Sequence, residues 1–338
     1  MSCVSEVNAL LPHLQSASTM NKVTYALLMV TCFQAETQEI RNALANFIFQ
    51  TLESWCPDPQ RPLDVVYNPE IDRLEPFGEQ KNVIDAETPV LMTNALNRGL
   101  ATIAPWVEAE QPVLLRGPRG SGKGSLVTAV LHSMDVSVVN ASSFFSTLDL
   151  TNRLKRSCVR LESATGRAYR PRTGSKVLLV IKDLHHASKS LQELIRQLLE
   201  DKGFHEDDLE FASLPVTILA TADVKTPLHP RLSALLATHQ ISSPTSGELQ
   251  AIIEVHLHHT LKQVSPEARP ASWISFVASV MQDSISATKE FSWTAKYLVR
   301  WARTLAYYPA PETEEDIARH LLDAGSHLFY PRQVILVD

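Results

Sequence analysis

The sequence predicts an α/β fold: a parallel β-sheet flanked by helices, followed by an all-helical domain. Three observations carry the prediction. From Pro89 onward, short apolar runs that read as strands alternate with amphipathic helices, the pattern of a parallel sheet covered on both faces. The run Val113-Leu114-Leu115 leads directly into a glycine-rich turn, Gly117 to Gly124, and then into the apolar helix-like run Leu126 to Leu131. After Pro244 the apolar spacing becomes helical and stays so.

In chain order, residues 1–60 should form a helical segment, because Leu10, Leu11 and Leu14, then Leu27, Leu28 and Val30, then Ile40, Leu44, Phe47 and Ile48 recur at helical spacing. Residues 61–88 are expected to be an extended connector, since Pro57, Pro59, Pro62, Pro69 and Pro76 punctuate a polar stretch. Residues 89–245 should be the large α/β domain, with strands at Val113–Leu115, Val136–Val139, Val177–Ile181 and Val216–Ala220. Between the third and fourth strands, Ser190–Asp201 places Leu191, Leu194, Ile195, Leu198 and Leu199 on one helix face, which would cover the sheet. Residues 246–338 should be a helical lid domain, with helices at Glu248–Leu261, Trp273–Met281, Phe291–Ala306 and Glu314–Leu322.

A chain of 338 residues with 44% hydrophobic content can fill about two domains. Its net charge of -6 gives no global attraction to nucleic acid or to an anionic membrane. Cys3, Cys32, Cys56 and Cys158 are scattered without a Cys-x-x-Cys pair, which fits a reducing compartment and no zinc site. The apolar run Ala26–Phe33 is too short to span a bilayer, and the N-terminus lacks a basic leader before a long apolar stretch. A cytosolic protein is expected.

The turn after the first strand has the chemistry of a phosphate-binding loop. Gly117, Gly120 and Gly122 let the backbone aim successive amides at phosphate oxygens, and the positive end of the following helix adds to them. Lys123 supplies a mobile charge for the outer phosphates. The expected cofactor is therefore ATP or ADP, held by Gly117, Pro118, Arg119, Gly120, Ser121, Gly122, Lys123, Gly124 and Ser125. In the usual pattern, Gly-x4-Gly-Lys-Ser/Thr, the last hydroxyl binds the magnesium ion that bridges the phosphates. Here that position is Gly124, and Ser125 lies about a hundred degrees further round the helix. Magnesium would then depend on water, on the nucleotide, or on a shifted Ser125.

Such a loop needs an acid on a neighbouring strand, to hold the metal from the other side and align an attacking water. The apolar strand that ends in acid is Val177 to Ile181, followed by Lys182 and Asp183. Hydrolytic sites of this class end it with two adjacent acids, so one carboxylate is missing. Asp183 is the candidate for weak metal binding and for catalysis, with a turn-capping role as the alternative. The fourth strand ends Ala220-Thr221-Ala222-Asp223, and Asp223 or Thr221 at its tip would reach the outer phosphate or its water, unless Asp223 serves only its turn. Arg231, in His229-Pro230-Arg231-Leu232, could act in trans on a neighbour's nucleotide or make a surface salt bridge.

The order of phosphate loop, acid-ended strand, polar strand tip, arginine and helical lid resembles an AAA+ P-loop NTPase module, and several stretches resemble a dynein heavy chain. Thr165 to Lys176 occupies the place of the glycine- and proline-rich hairpin before the acidic strand of dyneins. Leu194 to His205 resembles their Leu-Leu-Arg-Gln-Trp-Leu-Asp-x-Gly-Gly-Trp-Tyr run, and Pro230-Arg231-Leu232 their Pro-Arg-Phe turn. Pro89 to Thr93 with Arg98 resembles the segment that passes the adenine. The Gly-Lys-Gly loop, the Lys182-Asp183 strand end and Arg61-Pro62-Leu63-Asp64 resemble the third module of the class-two cytoplasmic heavy chains of retrograde intraflagellar transport.

The resemblance covers about residues 61–335 and makes residues 1–60 the lid of a preceding module. It implies a regulatory nucleotide-binding module with weak or no hydrolysis, since Gly124, Lys182, Asp223 and Ala234 depart from the family pattern. It also implies adjacent AAA+ modules of the same heavy chain, dynein subunits and microtubules as partners, a cytoplasmic and ciliary location, and a fragment of a longer chain. Two alternatives stay open: a structural ring segment that binds no nucleotide, and an AAA+ remodeller of nucleic acid. Against the latter, the basic stretch Arg153 to Lys176 interleaves only Tyr169 as an aromatic and reads as a solvated helix and hairpin. His256, His258 and His259 read as a helix surface, and Asp183, His185 and His186 lack a nucleophile for a hydrolytic triad.

Overall fold

The computed structural model describes residues 3–14, 19–35, 37–77, 83–84, 89–134, 136–163, 166–174, 176–206, 208–264 and 295–304, with single positions at 307, 316, 319, 320, 323 and 324. Three helices open the chain: α1 (Cys3–Leu14), α2 (Met20–Thr31) and α3 (Gln38–Thr51). The second and third begin where the sequence supplies N-caps, the Thr19 and Thr37 hydroxyls accepting the N–H groups of Lys22 and Ile40. The stretch expected to run as a connector carries an antiparallel hairpin, β1 (Val65–Asn68) with β2 (Arg73–Pro76). Its prolines sit in the turn or at a strand end, where a missing N–H costs no ladder bond. Leu63, Val65 and Leu74 close over Leu28, Met29, Phe33, Ala45 and Phe49 in one core cluster.

Two short antiparallel strands follow, β3 (Val83–Ile84) and β4 (Val90–Leu91), then α4 (Asn94–Glu108) and β5 (Val113–Arg116). The chain continues through α5 (Lys123–His132), β6 (Ser137–Ser142), α6 (Thr147–Ser157), β7 (Cys158–Ser163), β8 (Gly166–Pro171), β9 (Val177–Lys182) and α7 (Lys189–Glu200). Further along come β10 (Gly203–His205), β11 (Phe211–Ser213), β12 (Val216–Ala222), α8 (Pro230–Ser233), β13 (Ala237–Gln240), α9 (Ser246–Val264) and α10 (Ala295–Thr304).

The central sheet runs in the order β13-β5-β12-β9-β6, with every pair parallel. Val113 to Leu115, Val177 to Ile181 and the whole of β12 are buried, as expected of strands covered on both faces. The edge strand β13 was not anticipated, because Ala-Thr-His-Gln is neither apolar nor alternating. Its burial depends on partners from the start of the chain: the His239 ring lies 4.9 Å from that of Phe33, and Gln240 Oε1 accepts from Arg41 Nη2 at 3.1 Å. Arg41, itself buried, also donates through Nη1 to Ser242 Oγ at 3.0 Å and through Nε to the Ala35 carbonyl at 2.9 Å. The first helix is tied in likewise, with Trp106 Nε1–H donating to the Ala9 carbonyl at 2.7 Å and the His13 ring to that of Thr102 at 3.1 Å.

A second sheet, β10-β11-β8-β7, gathers much of the basic stretch around one buried carboxylate. Glu206 takes the Tyr169 hydroxyl at 2.6 Å, Lys155 Nζ at 3.2 Å, Arg167 at 3.0 Å and Arg160 at 3.7 Å. The stretch is therefore not simply solvated: three of its cations and its one aromatic satisfy an internal anion.

The chain packs as two compact units, the first comprising residues 1–80, 94–118 and 123–242 and the second residues 81–93, 119–122 and 243–338. In the second unit α9 and α10 pack together, with Ile253, Leu257, Leu298 and Ala302 fully or nearly fully buried. His256 is buried rather than on the helix surface expected of it, and burial holds its pKa down to about 4, with Arg303 and His259 adding to the effect. The expected helix Trp273–Met281 lies outside the described residues, and Glu314–Leu322 is described only at residues 316, 319 and 320.

Candidate nucleotide site

β5 carries the chain to the C-terminal edge of the central sheet between β12 and β13, and the glycine-rich loop leaves from there. Gly120 and Gly122 have φ of 79° and 91°, a region in which a side chain is strained, so these two glycines are required by the turn. Lys123 opens α5, and its Nζ donates to the carbonyls of Gly117 and, at 2.8 Å, Pro118. The ammonium is thereby held against the loop rather than extended into solvent. Gly124 differs from Gly120 and Gly122: it is exposed, its φ is not left-handed, and a Cβ built on it meets nothing within 4 Å. Neither packing nor backbone geometry requires glycine there. Ser125 follows it in the first turn of the helix, half-buried.

On the neighbouring strand, β9 is buried through Ile181, and Lys182 and Asp183 emerge exposed at its end. Asp183 adopts φ 56° and ψ 46°, a left-handed conformation uncommon outside glycine. Its backbone N–H donates to Thr221 Oγ1 on β12 at 2.9 Å, and its side chain makes no capping bond to the 3-10 turn Leu184–His186 that follows. At the tip of β12, the Asp223 N–H donates to His185 Nδ1 at 3.3 Å, while Asp223 Oδ1 accepts the Lys225 N–H at 3.0 Å in an Asx turn. The turn-forming role weighed for Asp223 is thus present.

Burial pushes the His185 pKa down, His186 and Lys123 add to that, and Asp183 and Asp223 oppose it. Lys123, Asp183, His185 and Asp223 therefore share one electrostatic neighbourhood. Thr221 is buried and engaged with Asp183. Arg231 stands exposed on α8, where with His229 it adds to the dominant effect of Arg196 in keeping the Glu193 carboxyl low. Sequence reasoning passed over His185, which it weighed only as part of a triad. Two residues beyond an acid-ended strand was the available signal.

Residues 84–244 match the family described as the P-loop containing dynein motor region. The chain is 26% identical over 94% of its length to the cytoplasmic dynein 2 heavy chain 1 of Tripneustes gratilla, and 28% identical over 64% to that of Homo sapiens. It spans only 8% and 6% of those relatives. Among solved structures, NtrX from Brucella abortus in complex with ATP aligns with a TM-score of 0.45 and 12% identity, covering 81% of this chain and 60% of that one. The RuvB Holliday junction branch migration motor of Thermotoga maritima aligns with a TM-score of 0.41 and 17% identity, covering 68% and 67%. The buried parallel sheet, the glycine loop at its edge and these sequence matches make residues 84–244 a P-loop module similar to the motor region of dynein heavy chains.

Proposed function

We propose that this chain is a regulatory module of a dynein-type microtubule motor of the retrograde intraflagellar transport class, one that binds ATP or ADP and turns it over slowly or not at all. The observation that carries the reading is the contrast within one site. The left-handed glycines and Lys123 keep the phosphate loop complete, whereas Gly124 and Lys182 stand where a metal-binding hydroxyl and a first acid are usual. Magnesium, when bound, would supply charge neutralisation between phosphates, and Asp183 and Ser125 would be the protein groups to hold it. Asp223 would sense the outer phosphate, and Arg231 would serve a neighbouring module's nucleotide.

In this reading residues 1–60 derive from the lid of a preceding module, 61–88 connect, 89–245 bind nucleotide and 246–338 form the module's own lid. Its partners are the adjacent modules of the same heavy chain and, through the whole motor, dynein subunits and microtubules in the cytoplasm and cilium. Calorimetric titration of the chain with ATP and magnesium tests the reading. Binding that Lys123→Ala abolishes is the expected result, and no binding at millimolar nucleotide would leave a purely structural ring segment.

A further inference from the structure

The turn after β9 and the tip of β12 are joined by two hydrogen bonds that run in opposite directions. Asp183 N–H reaches over to Thr221 Oγ1 at 2.9 Å, and Asp223 N–H reaches back to His185 Nδ1 at 3.3 Å. Each bond uses the backbone N–H of a carboxylate-bearing residue, so each fixes where that carboxylate starts from. An imidazole nitrogen that accepts a backbone N–H is unprotonated, which leaves the ring's hydrogen on Nε2.

His185 is well braced for such a task. Leu184 before it is fully buried, and the 3-10 turn is closed by His186 N–H to the Asp183 carbonyl at 2.9 Å and Ala187 N–H to the Leu184 carbonyl at 3.0 Å. The His186 ring lies 4.0 Å from that of His185 and stacks in turn on Phe144 at 6.1 Å and 12°. On the opposite side the Asx bond to Lys225 holds Asp223 from beyond. Two residues 38 positions apart are thus clasped at a point where the parallel ladder has already ended.

We infer that His185 is a positioning residue, one that holds the Asp223 strand tip in register with Asp183 so that the two carboxylates stand as a single rigid pair of acceptors for water beside the outer phosphate of a nucleoside triphosphate. The phosphate part of this inference rests on the nucleotide reading of the site; the clasp itself does not. Asparagine at 185 places an amide oxygen near the position of Nδ1 and should preserve the clasp, whereas phenylalanine keeps the ring and removes the acceptor.

The test is amide hydrogen exchange across residues 181–187 and 219–226 of the full nucleotide-free chain, together with calorimetric affinities for ATP and for ADP. Loss of one such hydrogen bond should speed exchange at the Asp223 amide about threefold to tenfold in His185→Phe, and change the ATP-to-ADP affinity ratio by up to a similar factor. His185→Asn should restore both. Wild-type exchange in His185→Phe, or a defect in His185→Asn as large as that of the phenylalanine variant, would overturn the inference. Thr221→Val, isosteric and lacking only the oxygen, covers the case in which the phenylalanine variant does not fold. It should speed exchange at the Asp183 amide, and unaltered exchange there would count equally against the clasp. If the wild type binds neither nucleotide, the nucleotide reading fails while the exchange data still decide on the clasp.

Discussion

Replacing Gly124 in turn by alanine, serine and threonine separates two effects that coincide at this position, one on the helix and one on the metal. The helix effect follows from geometry: position 124 lies in the first turn of α5, is exposed, is not left-handed, and has no atom within 4 Å of a built Cβ. Glycine in a helix costs about 0.5–1 kcal/mol relative to alanine, so Gly124→Ala should stabilise the fold by up to that amount. At roughly 2–4 °C per kcal/mol for a unit of this size, melting should rise by about 1–4 °C. Serine and threonine should gain less, since their own helix preference is weaker by about 0.5 kcal/mol. The metal effect should run the other way round. Only serine and threonine return an oxygen to the place where the usual loop binds magnesium, and an oxygen facing a cation is worth at least a charge-assisted hydrogen bond, about 1.5–3 kcal/mol, or roughly tenfold to a hundredfold in affinity. Scanning calorimetry reads the first effect, and titration with ATP in magnesium and in chelator reads the second. An alanine variant that gained as much magnesium dependence as the serine variant would refute the reasoning. So would a serine variant that gained none, which would place the deficit at Lys182 and Asp183 instead.

Further outcomes follow from other features of the molecule. Gly203→Ala should have the opposite sign to Gly124→Ala, since its Cβ would lie 2.3 Å from the Ala212 carbonyl oxygen and 2.4 Å from the Phe211 ring; a loss of about 1–3 kcal/mol in denaturant unfolding is expected, and no loss would show that the sheet edge yields freely. Glu206→Gln keeps an acceptor for Tyr169 but strips the charge facing Lys155, Arg160 and Arg167, and should cost about 2 kcal/mol by the same measurement, against nothing if the network is ornamental. Burial, with Arg41 and Arg98, holds His239 down to about 3, and burial holds His13 down to about 4. The unfolded chain binds these protons near pH 6.5 and the folded chain does not, so stability should fall as pH drops from 6.5 towards 4, by about 1.4 kcal/mol per pH unit for each group. His239→Gln should flatten that slope in melting curves, and an unchanged slope would remove His239 from the explanation.

What could be read from the sequence was what burial writes locally. β5, β9 and β12 are covered on both faces, so their burial forces unbroken apolar runs, and the loop glycines announce themselves because the turn demands left-handed backbone at Gly120 and Gly122. β13 escaped because its burial is satisfied by partners, Arg41 for Gln240 and Phe33 for the ring of His239, that are supplied some two hundred positions earlier. The basic stretch looked solvated for the same reason: Glu206, its counter-ion, lies beyond β9 and α7. His185 gains its importance from Asp223, just past the end of another strand, and its place two residues beyond an acid-ended strand marks its neighbourhood but not that pairing. The residues in the candidate site were found individually; their connection to one another required the sheet order.

Arg41 has a bearing on how this protein is made. Its guanidinium has three neutral acceptors, two of which, Gln240 and Ser242, are 199 and 201 residues further along the chain. During synthesis the first three helices therefore emerge long before the groups that complete their packing, and a charged side chain destined for burial must wait in water. Ribosome-bound intermediates halted before residue 242 should leave these helices open to protease, and a version of the protein begun after them would expose Gln240 without its donor. The helices around Arg41 would thus appear well before they could close.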